Sequence, residues 1–193
     1  MTGILRRYRV NITARPVEFF LDRNPNEPLF DMDQPYQRGV VWGLRRRRNL
    51  VKSLLMGVPI PAIVINNRFG AGFSHPDYTE DRSRQDAIVD GKQRVTTLQS
   101  FVANQFSVPH QWWDDAAAGS VFFADLTLPQ QRGVRNVPMA VAEGHFATLD
   151  QERELFDLIN FGGVRQGEVD ADLPNGDAIR AVGSRPTDAR LID

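Results

Sequence analysis

The residues best suited to chemistry lie in one short loop, Asp90-Gly91-Lys92-Gln93-Arg94. A strand that ends at Asp-Gly and turns at once into a helix presents unpaired amide N–H groups and the positive end of the helix dipole at one point. Lys92 and Arg94 add full positive charge, and the forked Arg94 side chain suits a phosphate. Asp90 is suited to holding a magnesium ion or orienting a water molecule beside such a phosphate. The loop therefore predicts a phosphate site.

The same loop is also compatible with an ordinary strand-to-helix turn that carries a solvated lysine and arginine, because short motifs often occur by chance. It is not a Walker A loop, which requires a longer glycine-rich stretch that ends in Gly-Lys-Ser or Gly-Lys-Thr. At the level of its residues alone, the phosphate site and the plain turn both stay open.

Two other segments offer groups suited to a nucleotide. Tyr36, Gln37 and Arg38 supply a stacking ring, an amide and a forked donor in consecutive positions, a set that suits a nucleobase or a sugar-phosphate. The segment Asn160-Phe161-Gly162-Gly163 has two glycines at which a ligand is able to approach the backbone closely. Each segment also has a plainer interpretation: a surface turn in front of a buried Trp42, and a helix C-cap.

Four consecutive arginines, Arg45, Arg46, Arg47 and Arg48, fall in the first half of a predicted helix. Cations there oppose the helix dipole, so helix stability does not explain the cluster, and a phosphate partner such as DNA is favoured. A solvated charged face is the alternative interpretation. The histidines lack the spacing of a metal site, and the absence of cysteine excludes thiolate metal sites and disulfides.

The composition is that of a globular protein, because 193 residues with 41% hydrophobic and 24% charged residues fit one domain. The net charge of −1 exerts no general attraction on nucleic acid, so contact with a polyanion requires a local cluster. The longest apolar stretch, from Val58 to Ile65, is far shorter than the roughly 20 residues of a membrane-spanning helix. We expect a cytoplasmic protein without a membrane partner, since the lack of cysteine fits a reducing compartment.

The loop lies between elements that must position it. Apolar residues at helical spacing predict helices from Leu44 to Met56 and from Gln93 to Ala103. Short β-branched runs predict strands from Ala62 to Ile65 and from Ala87 to Val89. The polar residues 68–84, which are interrupted by glycine, are typical of a long loop.

Further elements are predicted outside this central part. A short helix follows Pro16, and strands are predicted at residues 121–123 and 138–142. A capping box formed by Thr148 and Gln151 starts a helix that ends at residues 160–163. Residues 169–193 are predicted to be a C-terminal arm or linker, because no apolar periodicity continues there.

Taken in order, these segments resemble the N-terminal domain of GmrSD-type restriction endonucleases, which is related to the ParB/sulfiredoxin fold. The resemblance spans roughly residues 14 to 168, and its most specific part is the Asp-Gly-x-Gln-Arg loop followed by a Thr-Leu helix. The order and spacing of the segments strengthen it. The matching segments are Tyr36-Gln37-Arg38 with Trp42, Leu50 to Pro61, Val89 to Leu98, and Phe156 with Asn160-Phe161-Gly162-Gly163.

The resemblance implies a ParB/sulfiredoxin-like α+β domain over residues 1–168, with a small mixed sheet flanked by helices. It also implies that the loop binds nucleotide phosphates, and that hydrolysis of a nucleoside triphosphate with magnesium is coupled to cutting or sensing DNA in phage defence. Asp90, Gln93 and Arg94 are then the candidate catalytic residues, with Arg94 as phosphate clamp and Asp90 as holder of metal or water. The family most often has Gln where Lys92 stands, so a phosphate contact from Lys92 is our inference. The candidate nucleotide-binding residues are Tyr36, Gln37, Arg38, Gly91, Lys92, Arg94, Thr96, Asn160, Gly162 and Gly163.

Members of this family usually continue into a second, His-Asn-His-type nuclease domain, and nothing in this sequence resembles one. Three functions therefore stay open. The first is a nucleotide-binding domain, with or without hydrolysis; a separate nuclease subunit is a candidate partner. The second is a DNA-binding or ParB-like nuclease module without nucleotide turnover, which uses arginines 45–48. The third is a non-catalytic interaction protein or decoy of a full-length relative.

Overall fold

The fold combines helices and strands, as expected for the predicted α+β class. The computed structural model describes residues 8–22 and 27–161, and every element named below belongs to them. The strands are β1 (Val10–Pro16), β2 (Ile63–Asn66), β3 (Ala87–Asp90), β4 (Val108–Pro109), β5 (Ser120–Val121) and β6 (Pro138–Gly144). The helices are α1 (Leu44–Leu55), α2 (Arg68–Ala71), α3 (Glu80–Arg84), α4 (Lys92–Val102), α5 (Leu128–Arg135) and α6 (Leu149–Phe161), with short 3-10 helices at Val17–Phe20, His110–Trp112 and Phe123–Asp125.

Four of these strands form one mixed sheet in the order β1-β6-β2-β3. β1 is antiparallel to β6, β6 is parallel to β2, and β2 is antiparallel to β3. All four residues of the inner strand β2 are buried, because both faces of the sheet are covered there. β4 and β5 form a separate antiparallel pair. The predicted small mixed sheet flanked by helices is confirmed.

Side chains that alternate along β2 divide the core between the two faces of the sheet. Ile63 and Ile65 pack in one cluster with buried residues of α1 and α4. Val64 belongs to another cluster, with Phe146, and Phe156 of α6 packs against it. Helices α1 and α4 therefore cover one face and α6 the other, so that α6 lies near the point where β3 ends and α4 begins.

Most predicted elements are confirmed, with ends that shift by one or two residues. The predicted loop at residues 68–84 is wrong in part, because it contains the short helices α2 and α3. The strand predicted at residues 121–123 ends at Val121, since Phe123 already belongs to a 3-10 helix. β1 and α5 are not predicted from the sequence. β1 is an edge strand with mostly exposed or half-buried residues, so it lacks the clear alternation of a half-buried strand.

α6 begins with half of the predicted capping box. The hydroxyl oxygen of Thr148 accepts a hydrogen bond from the backbone N–H of Gln151 at 3.3 Å, as predicted. The side-chain oxygen of Gln151 instead accepts from the N–H of Ala147 at 2.9 Å, one residue before the predicted position. The prediction of a reciprocal box is therefore wrong in its second bond, although the helix starts where the pattern places it.

Among the described residues, the largest fully buried side chain is that of Arg68, at the start of α2. Its Nε lies 2.8 Å from Oε1 of Glu152 in α6, and its Nη1 lies 2.7 Å from Oδ2 of Asp31. Its Nη2 also donates to Oε1 of Gln34 at 2.7 Å. A buried charge is tolerated only when it is paired and hydrogen-bonded, and Arg68 meets both conditions.

The partners of Arg68 are fixed in turn by further hydrogen bonds. Nδ2 of Asn66 donates to Oε1 of Glu152 at 2.8 Å, and the Arg82 Nε donates to Oδ2 of Asp31 at 2.8 Å. Burial alone raises the pKa of Asp31, but hydrogen bonds from Arg82 and Arg68 outweigh it and lower that pKa to about 2. The carboxylate therefore stays charged. We call this set the Arg68 network: Asp31, Gln34, Tyr36, Asn66, Arg68, Arg82 and Glu152.

Gly91 makes the turn from β3 into α4 in a left-handed backbone conformation, with φ of 108° and ψ of 5°. A Cβ atom at this position would lie 2.5 Å from Cδ1 of Ile63, which is fully buried. Glycine is therefore required here both for the backbone conformation and for the close packing of the turn on β2.

Replacing Arg68 with methionine is expected to lower the free energy of unfolding by about 3–5 kcal/mol, because Glu152 and Asp31 would lose their shared buried cation. Urea unfolding followed by circular dichroism measures this change. Arg84→Met is the control, since Arg84 forms an exposed pair with Glu80, and we expect a change below about 0.5 kcal/mol. Similar values for the two variants would mean that the buried pairing contributes little.

Replacing Gly91 with alanine is expected to cost about 1–3 kcal/mol of stability, because the new methyl group meets Ile63 and the backbone is strained. Gly57→Ala isolates the strain, since Gly57 has φ of 68° and nothing lies within 4 Å of its Cβ position. We expect that control to cost about 1 kcal/mol. Equal losses in urea unfolding would rule out a contribution from the Ile63 contact.

Candidate functional site

A pocket of about 470 Å³ opens beside the N-terminus of α4. It lies between three parts of the chain: the segment before α1, the turn from β3 into α4, and the last turns of α6. The predicted loop, the pair Gln37-Arg38 and Asn160 meet here, although they are far apart in the sequence. The residues that line the pocket are Gln37, Arg38, Trp42, Pro61, Asp90, Gly91, Lys92, Gln93, Arg94, Phe156, Ile159 and Asn160.

The first turn of α4 supplies positive charge to the pocket. No side chain of the described residues caps this turn, so its N–H groups and the positive end of the helix dipole are not neutralised there by a capping group. The Nζ atom of Lys92, whose side chain is only 14% exposed, lies 3.0 Å from Oδ1 of Asp33. Asp33 is 90% exposed, so the partner of the Lys92 ammonium is a carboxylate at the surface.

Arg94 is bound by the protein itself. Its Nη2 lies 2.5 Å from Oδ2 of Asp90, and its Nη1 donates to the carbonyl oxygen of Pro61. Burial lowers the pKa of Arg94, and the Asp90 carboxylate offsets part of that effect. Nδ2 of Asn160 lies 3.5 Å from Oδ1 of Asp90 and donates to the carbonyl oxygen of Phe156 at 2.9 Å. The predicted phosphate clamp and the predicted metal holder are thus paired with each other at the pocket.

Gln93 binds the segment that precedes α1. Its Oε1 accepts hydrogen bonds from the N–H groups of Val41 at 3.0 Å and Trp42 at 3.2 Å. Its Nε2 donates to the carbonyl oxygen of Gly39 at 2.9 Å. One side-chain amide thereby holds three backbone groups of this segment.

Of the predicted group Tyr36-Gln37-Arg38, the last two residues line the pocket and the first does not. The Tyr36 ring centroid lies 5.2 Å from that of Phe156, its hydroxyl donates to Glu152, and burial together with the Glu152 charge raises the pKa of Tyr36. Nε2 of Gln37 donates to two successive carbonyl oxygens of β3, at 2.7 and 2.8 Å. Arg38 is exposed and lines the pocket, whereas Tyr36 lies outside the lining and supports it from behind.

The remaining predicted nucleotide-binding residues are not part of the pocket lining. Thr96 is half-buried further along α4, beyond the residues that face the pocket. Gly162 and Gly163 lie outside the described residues. Of the Asn-x-Gly-Gly segment, Asn160 is therefore the residue whose side chain the structure brings to the site.

The four arginines of α1 fall into two pairs. Arg45 and Arg46 are exposed, and neither side chain forms a hydrogen bond or ion pair with the part of the chain that the structure describes. Nε of Arg47 donates to the carbonyl oxygen of Trp42 at 2.9 Å, so this arginine supports a pocket residue. Nε of Arg48 donates to the carbonyl oxygen of Ser107 at 2.8 Å.

The apolar wall of the pocket was not predicted as part of the site. Trp42, Pro61, Phe156 and Ile159 form it. Trp42 and Phe156 belong to the segments that carry the resemblance, and Ile159 is 45% exposed immediately before Asn160. An apolar residue beside each polar motif was the available signal, but apolar side chains at helical spacing usually indicate core, so the pattern alone does not separate the two roles.

A protein-built metal centre is not found among residues 8–22 and 27–161, where no three or more His, Asp or Glu side chains are grouped to hold an ion. Asp90 is a single carboxylate that already faces Arg94 and Asn160. Such a position suits magnesium that arrives with a ligand, since this ion is usually held by one or two carboxylates together with substrate phosphates. In the same residues, no helix has the length and apolar character needed to cross a membrane.

A family model described as the GmrSD restriction endonuclease, N-terminal domain, matches residues 18–171. The match covers most of the chain and includes every residue that lines the pocket. No curated protein matches the chain. The chain therefore belongs to the GmrSD restriction endonuclease N-terminal domain family and is a module of a restriction system.

Proposed function

We propose that this domain binds a nucleoside triphosphate in the pocket beside α4. The proposal rests on one observation: a positively charged half and an apolar half meet in the same pocket. One half has Lys92, Arg94 and the uncapped first turn of α4, which together attract an anion. The other half is the apolar wall of Trp42, Pro61, Phe156 and Ile159.

The apolar wall supports a nucleotide over a bare phosphate. Small-molecule sites are generally apolar clefts with a few polar groups that fix the orientation of the ligand. A planar base suits the indole of Trp42 and the ring of Phe156, since aromatic surfaces stack well on bases. An inorganic phosphate would leave this wall without a contact.

The ion pairs at the pocket assign different parts to Lys92 and Arg94. Lys92 is paired with the exposed Asp33, a partner that an incoming phosphate is able to replace at low cost, since exposed pairs contribute little. Arg94 is paired with the mostly buried Asp90, and separating those charges is expensive. We therefore propose Lys92 as the direct phosphate contact and Arg94 as a fixed positive charge that orients Asp90.

Hydrolysis is the second part of this proposal. Water would attack the terminal phosphorus, the bond to the bridging oxygen would break, and a nucleoside diphosphate and inorganic phosphate would leave. Asp90 is the pocket carboxylate suited to orienting that water or to contacting magnesium carried by the phosphates. Arg94, Lys92 and the α4 amides would stabilise the charge on the phosphate oxygens.

Lys92→Ala is expected to weaken nucleotide binding by about 10- to 100-fold, because it removes a charge-assisted contact worth about 1.5–3 kcal/mol. Titration calorimetry with a panel of nucleoside triphosphates and magnesium measures the affinity. Lys52→Ala is a matched control, because Lys52 is the chain's other lysine, is exposed, and lies outside the pocket. Equal affinities of both variants and the wild type would exclude the assigned contact, and no heat from any nucleotide would exclude the proposed function.

A specific observation favours contact with DNA as a second function. Arg45 and Arg46 are exposed and unpaired within the described residues. They lie in the first turn of α1, at the N-terminal end, where positive charge is unfavourable for the helix. Exposed guanidinium groups without carboxylate partners suit the phosphates of a nucleic-acid backbone. The segment before α1 lines the pocket, so DNA on this surface would lie next to the nucleotide.

The double variant Arg45→Ala/Arg46→Ala is expected to weaken duplex binding and to reduce the slope of log K against log salt by about 2, since each phosphate contact contributes about 0.9. Fluorescence anisotropy over a salt series measures both. Arg84→Ala/Arg132→Ala removes the same charge from exposed positions in α3 and α5 and serves as the control. An identical slope in the two double variants would argue against this surface.

A further inference from the structure

The segment from Arg38 to Gly43, here called the strap, forms one wall of the pocket without forming a helix or a strand. Arg38 and Trp42 are its two residues that line the pocket. Its middle has little packing of its own, because Val40 and Val41 are 45% and 55% exposed. The position of this wall must therefore be set by hydrogen bonds.

The ends of the strap are anchored independently of α4. Gln37, just before it, is bound to the carbonyl oxygens of β3. At its other end the carbonyl oxygen of Gly43 accepts from N–H groups of the first turn of α1, and the carbonyl oxygen of Trp42 accepts from Arg47. Between these anchors, the side-chain bonds to the strap backbone in the described part of the chain are the three from Gln93.

We propose that Gln93 is a positioning residue: it fixes the strap, and through the strap it places Arg38 and Trp42 against the ligand. This inference rests on the proposed function, because it assigns the ligand to the same pocket. The geometry disfavours a direct catalytic part for Gln93. An amide oxygen has two lone pairs, and both already accept from the N–H groups of Val41 and Trp42, so none is left to orient a water molecule.

The same assignment gives the glutamine in the loop Asp90-Gly91-Lys92-Gln93-Arg94 a structural role. Gln93 lies in the first turn of α4, next to Lys92, whose side chain contacts Asp33 instead of the strap. Two neighbouring residues of one helical turn therefore have different roles. Lys92 supplies positive charge at the polar side of the pocket, and Gln93 holds the strap, which contains Trp42.

The fluorescence of Trp42 tests the inference without a ligand. The chain has three tryptophans, so the background Trp112→Phe/Trp113→Phe leaves Trp42 as the one reporter. In this background, Gln93→Ala is expected to raise the acrylamide quenching of Trp42 by about twofold, because the strap opens locally. It is also expected to weaken nucleotide affinity by about tenfold through the loss of three hydrogen bonds.

Two comparison variants separate positioning from direct contact. Gln93→Glu keeps both acceptor bonds to the strap but turns a carboxylate oxygen toward the carbonyl oxygen of Gly39, so it should raise the quenching of Trp42 less than Gln93→Ala does. Gln93→Asn is too short to reach the strap and should behave like Gln93→Ala. Lys92→Ala should lose nucleotide affinity with unchanged quenching. Far-UV circular dichroism verifies that each variant is folded.

Unchanged quenching of Trp42 in Gln93→Ala and Gln93→Asn would overturn the inference, and with a loss of affinity it would assign Gln93 a direct ligand contact. Increased quenching of Trp42 in Gln93→Ala and Gln93→Asn, with a smaller increase in Gln93→Glu, would support the inference. If the wild-type protein binds no nucleotide, the proposed function fails, while the quenching series still decides whether Gln93 holds the strap.

Discussion

The site depends on one buried cation. Arg68 binds Asp31 and Gln34, which precede the strap, and Glu152, which belongs to α6. These partners come from opposite ends of the described chain, and each leads directly into one wall of the pocket. Because a buried guanidinium requires both carboxylates, the segment before α1 and the helix α6 are held at a fixed separation across the end of β2. The pocket is the space that this separation leaves beside α4.

Charge is arranged in two layers around that space. In the inner layer, Arg68 and the partly exposed Arg82 are paired with buried carboxylates, and the pKa of Asp31 falls to about 2 in consequence. In the outer layer, Lys92 and Arg94 face the pocket and each has one carboxylate partner. The inner layer gives the walls their positions, and the outer layer gives the pocket its preference for anions. This division leaves Lys92, whose carboxylate partner is exposed, able to contact a ligand at little cost in stability.

The sequence predicted the loop and its setting well, because a β-branched run, an Asp-Gly turn and an amphipathic helix are local patterns. The resemblance also predicted that Gln37, Arg38 and Asn160 lie in the same site as the loop. Their positions along the sequence, which are far apart, did not indicate this. The sequence did not predict the Arg68 network, since Arg68 stands in a polar, glycine-containing stretch where an arginine is normally solvated. The contacts of Gln93 with the strap and of Arg94 with Pro61 were beyond sequence reasoning, because they depend on which segments meet in space. The pairing of Arg94 with Asp90, four residues earlier, is local.

The pair of Asp33 and Lys92 has a consequence for ligand selection. The backbone of Asp33 is tethered to the Arg68 network, because its N–H donates to Asp31 and its carbonyl oxygen accepts from Arg82. Its carboxylate is therefore present beside Lys92 at the high effective concentration of an attached group, in the millimolar range or above for short tethers. Any anion that enters must compete with this resident carboxylate. On the proposed function, a multivalent polyphosphate that also contacts the α4 amides has an advantage over a monovalent anion, because these further contacts are not opposed by Asp33.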